Sequence, residues 1–166
     1  AREVVEVNFF GTFNLCQEAL DPLKVRGGSI VVITSVHAES AYAGSSIYNF
    51  TKAGLNQFAA TLGLELAKYR IRVNALEPGW VRTPGSTGGM SLEEIAHAEQ
   101  HTIPWGRMGQ PADIGRAVAF LASDDASFVS GQALAVDGGY TAGHRFGVAP
   151  VPRWAGVALS VVAIWV

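Results

Sequence analysis

The chain has a single cysteine in 166 residues, Cys16, so no disulfide can close within it, and its helical neighbourhood points to packing instead of nucleophilic work. Charge is scarce and balanced. Twelve Lys and Arg stand against 14 Asp and Glu, 16% of the residues, for a net charge of −2, which supplies no positive footprint for a phosphate backbone and excludes nucleic acid as a partner. A full metal-ligand set is missing: His97 and His101 have the i, i+4 spacing of metal ligands, but no third ligand signature accompanies them, and no metal is expected. No glycine-rich turn joins a strand to a helix in the manner of a pyrophosphate cradle. Gly85-Ser86-Thr87-Gly88-Gly89 follows a Pro-Gly segment and precedes a polar helical stretch, which reads as a mobile loop. The uncharged run at residues 154–166 is shorter than the roughly 20 residues of a spanning helix, so a membrane partner is not expected.

What is present is an alternation of helical and strand patterns. Residues 4–20 read as a helix stopped by Asp21-Pro22. Residues 30–33, Ile-Val-Val-Ile, form a β-branched run without alternation, as suits a parallel strand buried on both faces. Residues 46–69 form a long helix with Tyr48, Lys52, Leu55, Ala59, Leu62 and Leu66 along one stripe. A second strand at 71–76 ends at Pro78-Gly79, short helices follow at 91–100 and 111–122, and a last strand at 134–136. Strands separated by helical crossovers predict an α/β fold with a doubly wound parallel sheet of about three strands, whose site lies beyond the carboxyl ends of the strands. Ser35 and Pro78-Gly79 fall at those ends. The 49% hydrophobic content with few charges fits one domain of a soluble, cytoplasmic protein.

Tyr48 and Lys52 carry the strongest chemical signal. Four apart on a helix, they share a face, so a phenol and an ammonium reach the same point in space. Two unit charges about 4 Å apart at an effective dielectric of about 20 interact by roughly 4 kcal/mol, about three pK units, enough to bring a tyrosine toward neutral pH and make it a general acid or base. A hydroxyl such as Ser35, thirteen positions earlier, is suited to hold the oxygen that gains or loses the proton. Ser35 and His37 do not read as nucleophile and base, because no Gly-x-Ser-x-Gly elbow surrounds the serine.

Further motifs follow in order: Asn8 with Gly11, then Ser35, Tyr48 and Lys52, then the run 74–83 (Asn-Ala-Leu-Glu-Pro-Gly-Trp-Val-Arg-Thr), then Gly109-Gln110-Pro111-Ala112-Asp113-Ile114, Ser130-Gly131-Gln132 and Asp137-Gly138-Gly139. This ordered set closely resembles the short-chain dehydrogenase/reductase family, in the subgroup of 3-oxoacyl carrier protein reductases and glucose 1-dehydrogenases. The resemblance covers residues 1–143 and implies the C-terminal portion of a Rossmann-like domain, with 144–166 as an atypical apolar tail for which an imperfect reading frame is the favoured origin. It implies hydride transfer between NAD or NADP and a small-molecule carbonyl or alcohol. Tyr48 is implied as acid/base, Lys52 as its pKa partner and ribose ligand, Ser35 as the holder of the substrate oxygen, and Asn8 as part of a water-linked proton relay near Lys52. Pro78, Gly79, Val81 and Thr83 are implied to contact the nicotinamide and adjacent phosphate. The resemblance further implies a homo-oligomer in the intact parent, its helices near Val4 and Ser46 pairing across a dimer.

Two departures stand out. The cofactor fingerprint is missing, so the alternative reading is a non-catalytic remnant that associates through its helices. Glu77 occupies the place before Pro-Gly where a small or apolar residue is expected; it is read as meeting a polar substrate or pairing with an arginine. Trp80, Met90 and Trp105 read equally as pocket lining or as packing.

Overall fold

The computed structural model describes residues 1–144, so the tail at 154–166 lies outside the described residues. Three parallel strands, β1 (Gly28–Ile33), β2 (Ile71–Pro78) and β3 (Ala133–Val136), lie in the order β1-β2-β3. Gly28 is opposite Ile71 at one end of the first ladder and Ile33 opposite Leu76 at the other. Ala75 to Pro78 pair with Ala133 to Val136.

Alternation along the strands assigns the two faces. On one, Val32 of β1 and Ile71, Val73 and Ala75 of β2 pack with Cys16 and with Leu55, Ala59, Leu62 and Leu66 of helix α3 (Ser46–Leu66). Each Val, Leu or Ile among them contributes about 1.5–3 kcal/mol when fully buried. Gly63 permits the closest approach: a Cβ there would stand 3.1 Å from Val73 O, Gly131 N and Ser130 Oγ. The other face receives α6 (Pro111–Ala122): Ser29 Oγ and Arg72 Nη1 donate to Leu121 O at 3.0 and 2.6 Å, and Arg72 Nη2 to Ser123 O at 2.9 Å. Both crossovers step the same way across the sheet but travel over opposite faces, so they have opposite hands. Buried Asn74 ties down the segment before β3, donating to Val129 O at 2.8 Å and accepting from Gln132 N at 3.0 Å.

The N-terminal helical stretch differs from expectation twice. It comprises α1 (Arg2–Val5), a π turn (Glu6–Phe10) and α2 (Gly11–Arg26), and it runs through Pro22 to Gly27. A proline inside a helix costs about 3 kcal/mol. Continuation lets Leu20 and Leu23 pack on the core beside Ile30, which is of comparable size. Residues 85–89 are not merely a loop: Thr83 and Ser86 form a capping box that starts α4 (Pro84–Thr87), with Pro84 in the first turn. A second small core of Ile95, Ala98, Ile103 and Met108 assembles around α5 (Leu92–His101). Of β1, only Val32 is fully buried and Ile33 is 44% exposed, against the expectation of a strand covered on both faces. Its outer edge has no partner strand among the described residues.

Candidate active site

The chain leaves β1 at Ile33 and tightens into a 3-10 turn, Val36–Ala38. Buried Ser35 caps that turn, its Oγ accepting from His37 N–H at 3.2 Å, so the hydroxyl hydrogen remains to be donated elsewhere. Thr34 fixes the exit from the strand through N–H and Oγ1 bonds to Leu76 O at 2.8 and 3.1 Å. β2 ends beside it at Pro78-Gly79, and Gly79 N–H donates to Val136 O at 3.1 Å. A Cβ on Gly79 would lie 2.5 Å from Asp137 Cβ, so only glycine fits there. Asp137 is held in turn by the N–H groups of Gly139 and Thr141, at 2.9 and 2.8 Å.

Ser35, Tyr48 and Gly79 line one cavity of about 590 Å³ at the carboxyl ends of β1 and β2, where the sequence places a site. Tyr48 is 37% exposed, so it and Lys52 lie at the mouth of the α3 stripe; the buried stripe itself takes in Thr51 and Gly63 with Leu55, Ala59, Leu62 and Leu66. Lys52 Nζ is 5.6 Å from the centre of the Tyr48 ring and donates to Ile33 O at 3.1 Å. Burial lowers its pKa below the ordinary 10.5. Asn8 lies in the π turn and donates through Nδ2 to Thr51 Oγ1 at 3.2 Å; Thr51 Oγ1 donates to Tyr48 O at 2.7 Å. The structure thus couples Asn8 to the turn of α3 holding Tyr48 and Lys52, with no direct bond to the ammonium.

Val81 and Thr83 follow on the segment leaving Gly79. Val81 bridges to Gly109, and Thr83 caps α4. Trp80 and Met90 pack on the small core around α5, whereas Trp105 is 73% exposed. Glu77 is buried and meets Asn56, not an arginine, and burial pushes its carboxyl up. His97 and His101 stand with ring centres 4.5 Å apart, and no group of three potential metal ligands forms among the described residues.

The cavity also contains residues to which sequence reasoning gave no role. His37 stacks on Tyr42 with ring centres 3.8 Å apart and meets Tyr48 edge-on at 5.2 Å. Tyr42 is in turn roughly parallel to Tyr140 at 6.3 Å, and desolvation, followed by the Tyr140 hydroxyl, pushes its phenol pKa upward. His37 was visible two positions after Ser35; nothing in the sequence joins Tyr42 to Tyr140. A larger opening of about 690 Å³ lies at the amino ends of the strands, around Arg26, Arg70 and Arg72. It has none of the paired acid/base groups.

A family model described as Enoyl-(Acyl carrier protein) reductase matches residues 1–141. The chain is 39% identical over 150 residues to 3beta-hydroxysteroid dehydrogenase 1 of Eggerthella lenta, covering 88% of this chain and 58% of that protein. It is 38% identical over 141 residues to 3-oxoacyl-[acyl-carrier-protein] reductase FabG of Thermotoga maritima, covering 82% and 55%. Among solved structures, a gluconate 5-dehydrogenase from Burkholderia cenocepacia in complex with NADP and tartrate superposes with a TM-score of 0.77 at 32% identity, covering 83% of this chain and 55% of that one. The chain spans about half the length of the curated relatives it matches.

Proposed function

The chain belongs to the short-chain dehydrogenase/reductase family, and on that premise we propose that it supplies the catalytic half of a nicotinamide-dependent oxidoreductase acting on a carbonyl or alcohol. The observation that carries this reading is the convergence of Ser35, Tyr48 and Gly79 on one cavity with Lys52 beside the tyrosine. In the reducing direction Tyr48 Oη gives its proton to the substrate oxygen, and in the oxidising direction it removes one. Ser35 Oγ–H donates to that same oxygen, stabilising the charge that develops on it. The Lys52 ammonium stabilises the negative charge left on Tyr48 after transfer.

The residues fit a nicotinamide nucleotide, NAD or NADP. Lys52 uses one protein acceptor, Ile33 O, leaving ammonium hydrogens for ribose hydroxyls. Gly79 lines the cavity, and Pro78, Val81 and Thr83 on the same segment are the residues assigned to the nicotinamide and adjacent phosphate. When bound, this group gives or takes the hydride. Asn8, through Thr51, holds the α3 turn on which proton transfer depends. Among the described residues no helix is long and apolar enough to cross a membrane. Exposed Val7, Phe10, Phe13 and Phe50 on the helices around α2 and α3 support assembly as a homo-oligomer.

The test is Tyr48→Phe in this sequence joined to a glycine-rich dinucleotide-binding half. Oxidation of reduced cofactor by ketones should fall by about 10²–10⁴-fold, the range typical of acid/base catalysis. Near-normal turnover in the variant overturns the assignment.

A further inference from the structure

Asn49 follows Tyr48 on α3, and its amide is fixed on three sides. The amide oxygen accepts from Tyr42 N–H at 3.1 Å, and the nitrogen donates to Ser45 O at 3.0 Å and to His37 Nδ1 at 2.8 Å. A carbonyl only accepts and a backbone N–H only donates, so these two neighbours dictate the orientation. His37 Nδ1 is consequently the acceptor, which places the imidazole hydrogen on Nε2. Nε2 forms no hydrogen bond with the described residues. The ring cannot easily turn away: Tyr42 lies flat against it, Tyr48 meets its edge, and its backbone N–H is tied to Ser35 Oγ. A neutral donor of fixed direction therefore stands on the wall of the cavity that contains Ser35 and Tyr48. No Lys or Arg is among the described lining residues of that cavity.

Resting on the oxidoreductase reading above, we propose that His37 is a specificity-determining residue whose Nε2–H recognises a second oxygen on the substrate, close to the reacting carbon. The substrate class is an uncharged α-oxygenated carbonyl compound, or the corresponding diol, flanked by a ring that rests on the Tyr42 and Tyr140 side of the cavity. Ser35 and Tyr48 take the reacting oxygen, and His37 takes its neighbour. An analogue without the second oxygen leaves the imidazole N–H unpaired, whereas a carboxylate or phosphate in its place finds no counter-charge in the lining.

The test uses 2-hydroxyacetophenone and acetophenone, which differ only in the α-hydroxyl, with binding to the 166-residue chain followed by ligand-observed NMR. The hydroxyketone should bind roughly tenfold more tightly, the effect of one net hydrogen bond. His37→Phe keeps a ring and should erase the preference; His37→Gln keeps an N–H donor and should retain part of it. With ¹⁵N-labelled histidine, His37 should show a bare Nδ1 and a protonated Nε2, and the Nε2 signal should move only with the hydroxyketone. Equal affinities, no saturable binding of either probe, or a protonated Nδ1 overturns the proposal. Turnover is measured separately on the protein joined to a dinucleotide-binding half. Its absence beside an intact binding preference removes the oxidoreductase reading and leaves His37 as a recognition group.

Discussion

Asn56 Nδ2 donates to Glu77 Oε1 at 2.5 Å, joining the turn of α3 after Lys52 to the last residue of β2 before Pro78-Gly79. The carboxyl is buried, and burial is the main cause of its raised pKa, ahead of the opposing Asn56 bond and the nearby Asp137. The native state therefore keeps the Glu77 proton at pH values where the unfolded chain, near 4.5, has released it. That contribution to stability is complete below about 4.5 and is lost as pH rises through the raised native value. Glu77→Gln retains the acceptor for Asn56 without a charge to desolvate. Urea midpoints measured across this window should lose their downward slope with pH in the variant, with stability at neutral pH equal to or above that of the parent.

Lys52 has the opposite linkage. Its native pKa is lowered by desolvation, so between that value and 10.5 the unfolded chain binds more protons and stability rises with pH. Lys52→Met keeps the stem and removes the charge. It should flatten this alkaline trend in denaturant titrations. In the protein joined to a dinucleotide-binding half, it should weaken cofactor affinity and abolish the alkaline limb of the rate profile. An unchanged profile would remove Lys52 from the reaction.

Gly63 sets the distance between α3 and β2. Adding one methyl at 3.1 Å from Val73 O, Gly131 N and Ser130 Oγ forces the helix outward, because two of these three neighbours are backbone atoms. Gly63→Ala should cost about 1–3 kcal/mol in chemical denaturation despite alanine's better helix propensity. A stabilised variant would mean that the helix yields freely.

The 166-residue chain by itself should not bind a dinucleotide measurably. Its matching residues meet only the nicotinamide end, and a site without a pyrophosphate cradle loses most of its contacts. Titrating reduced cofactor should give no saturable fluorescence change; micromolar saturable binding would contradict this.

The sequence revealed those features whose physical signals are local. The helical stretches at 111–122 and 91–100 and the β-branched run at 30–33 placed α6, α5 and β1 within two residues. The Tyr48 and Lys52 spacing placed both on one helix beside Ser35. What escaped was decided by partners distant in sequence. The helix survives Pro22 because Leu20 and Leu23 are needed by the core, and Glu77 is matched by an asparagine 21 residues away. Tyr42 and Tyr140 meet only once β1 and β3 are in the same sheet. At 83–87 the signal was present, a Thr-Pro start with Ser three residues on, but the surrounding glycines obscured it.

The π turn at Glu6–Phe10 closes through Gly11 N–H to Glu6 O, one residue longer than an α turn. Each residue of a helix advances about 100° around the axis. The extra one therefore sets the phase between α1 and α2, with Phe9 against Gly54 and Phe58 while Asn8 faces Thr51. Loss of a single residue from this stretch would leave a smoother helix and a misaligned one: everything before the deletion would swing by about a quarter of a circle, carrying Asn8 off α3. The segment thus tolerates changes of side chain far better than changes of length, and a one-residue deletion that improves local helical regularity would uncouple it from Tyr48.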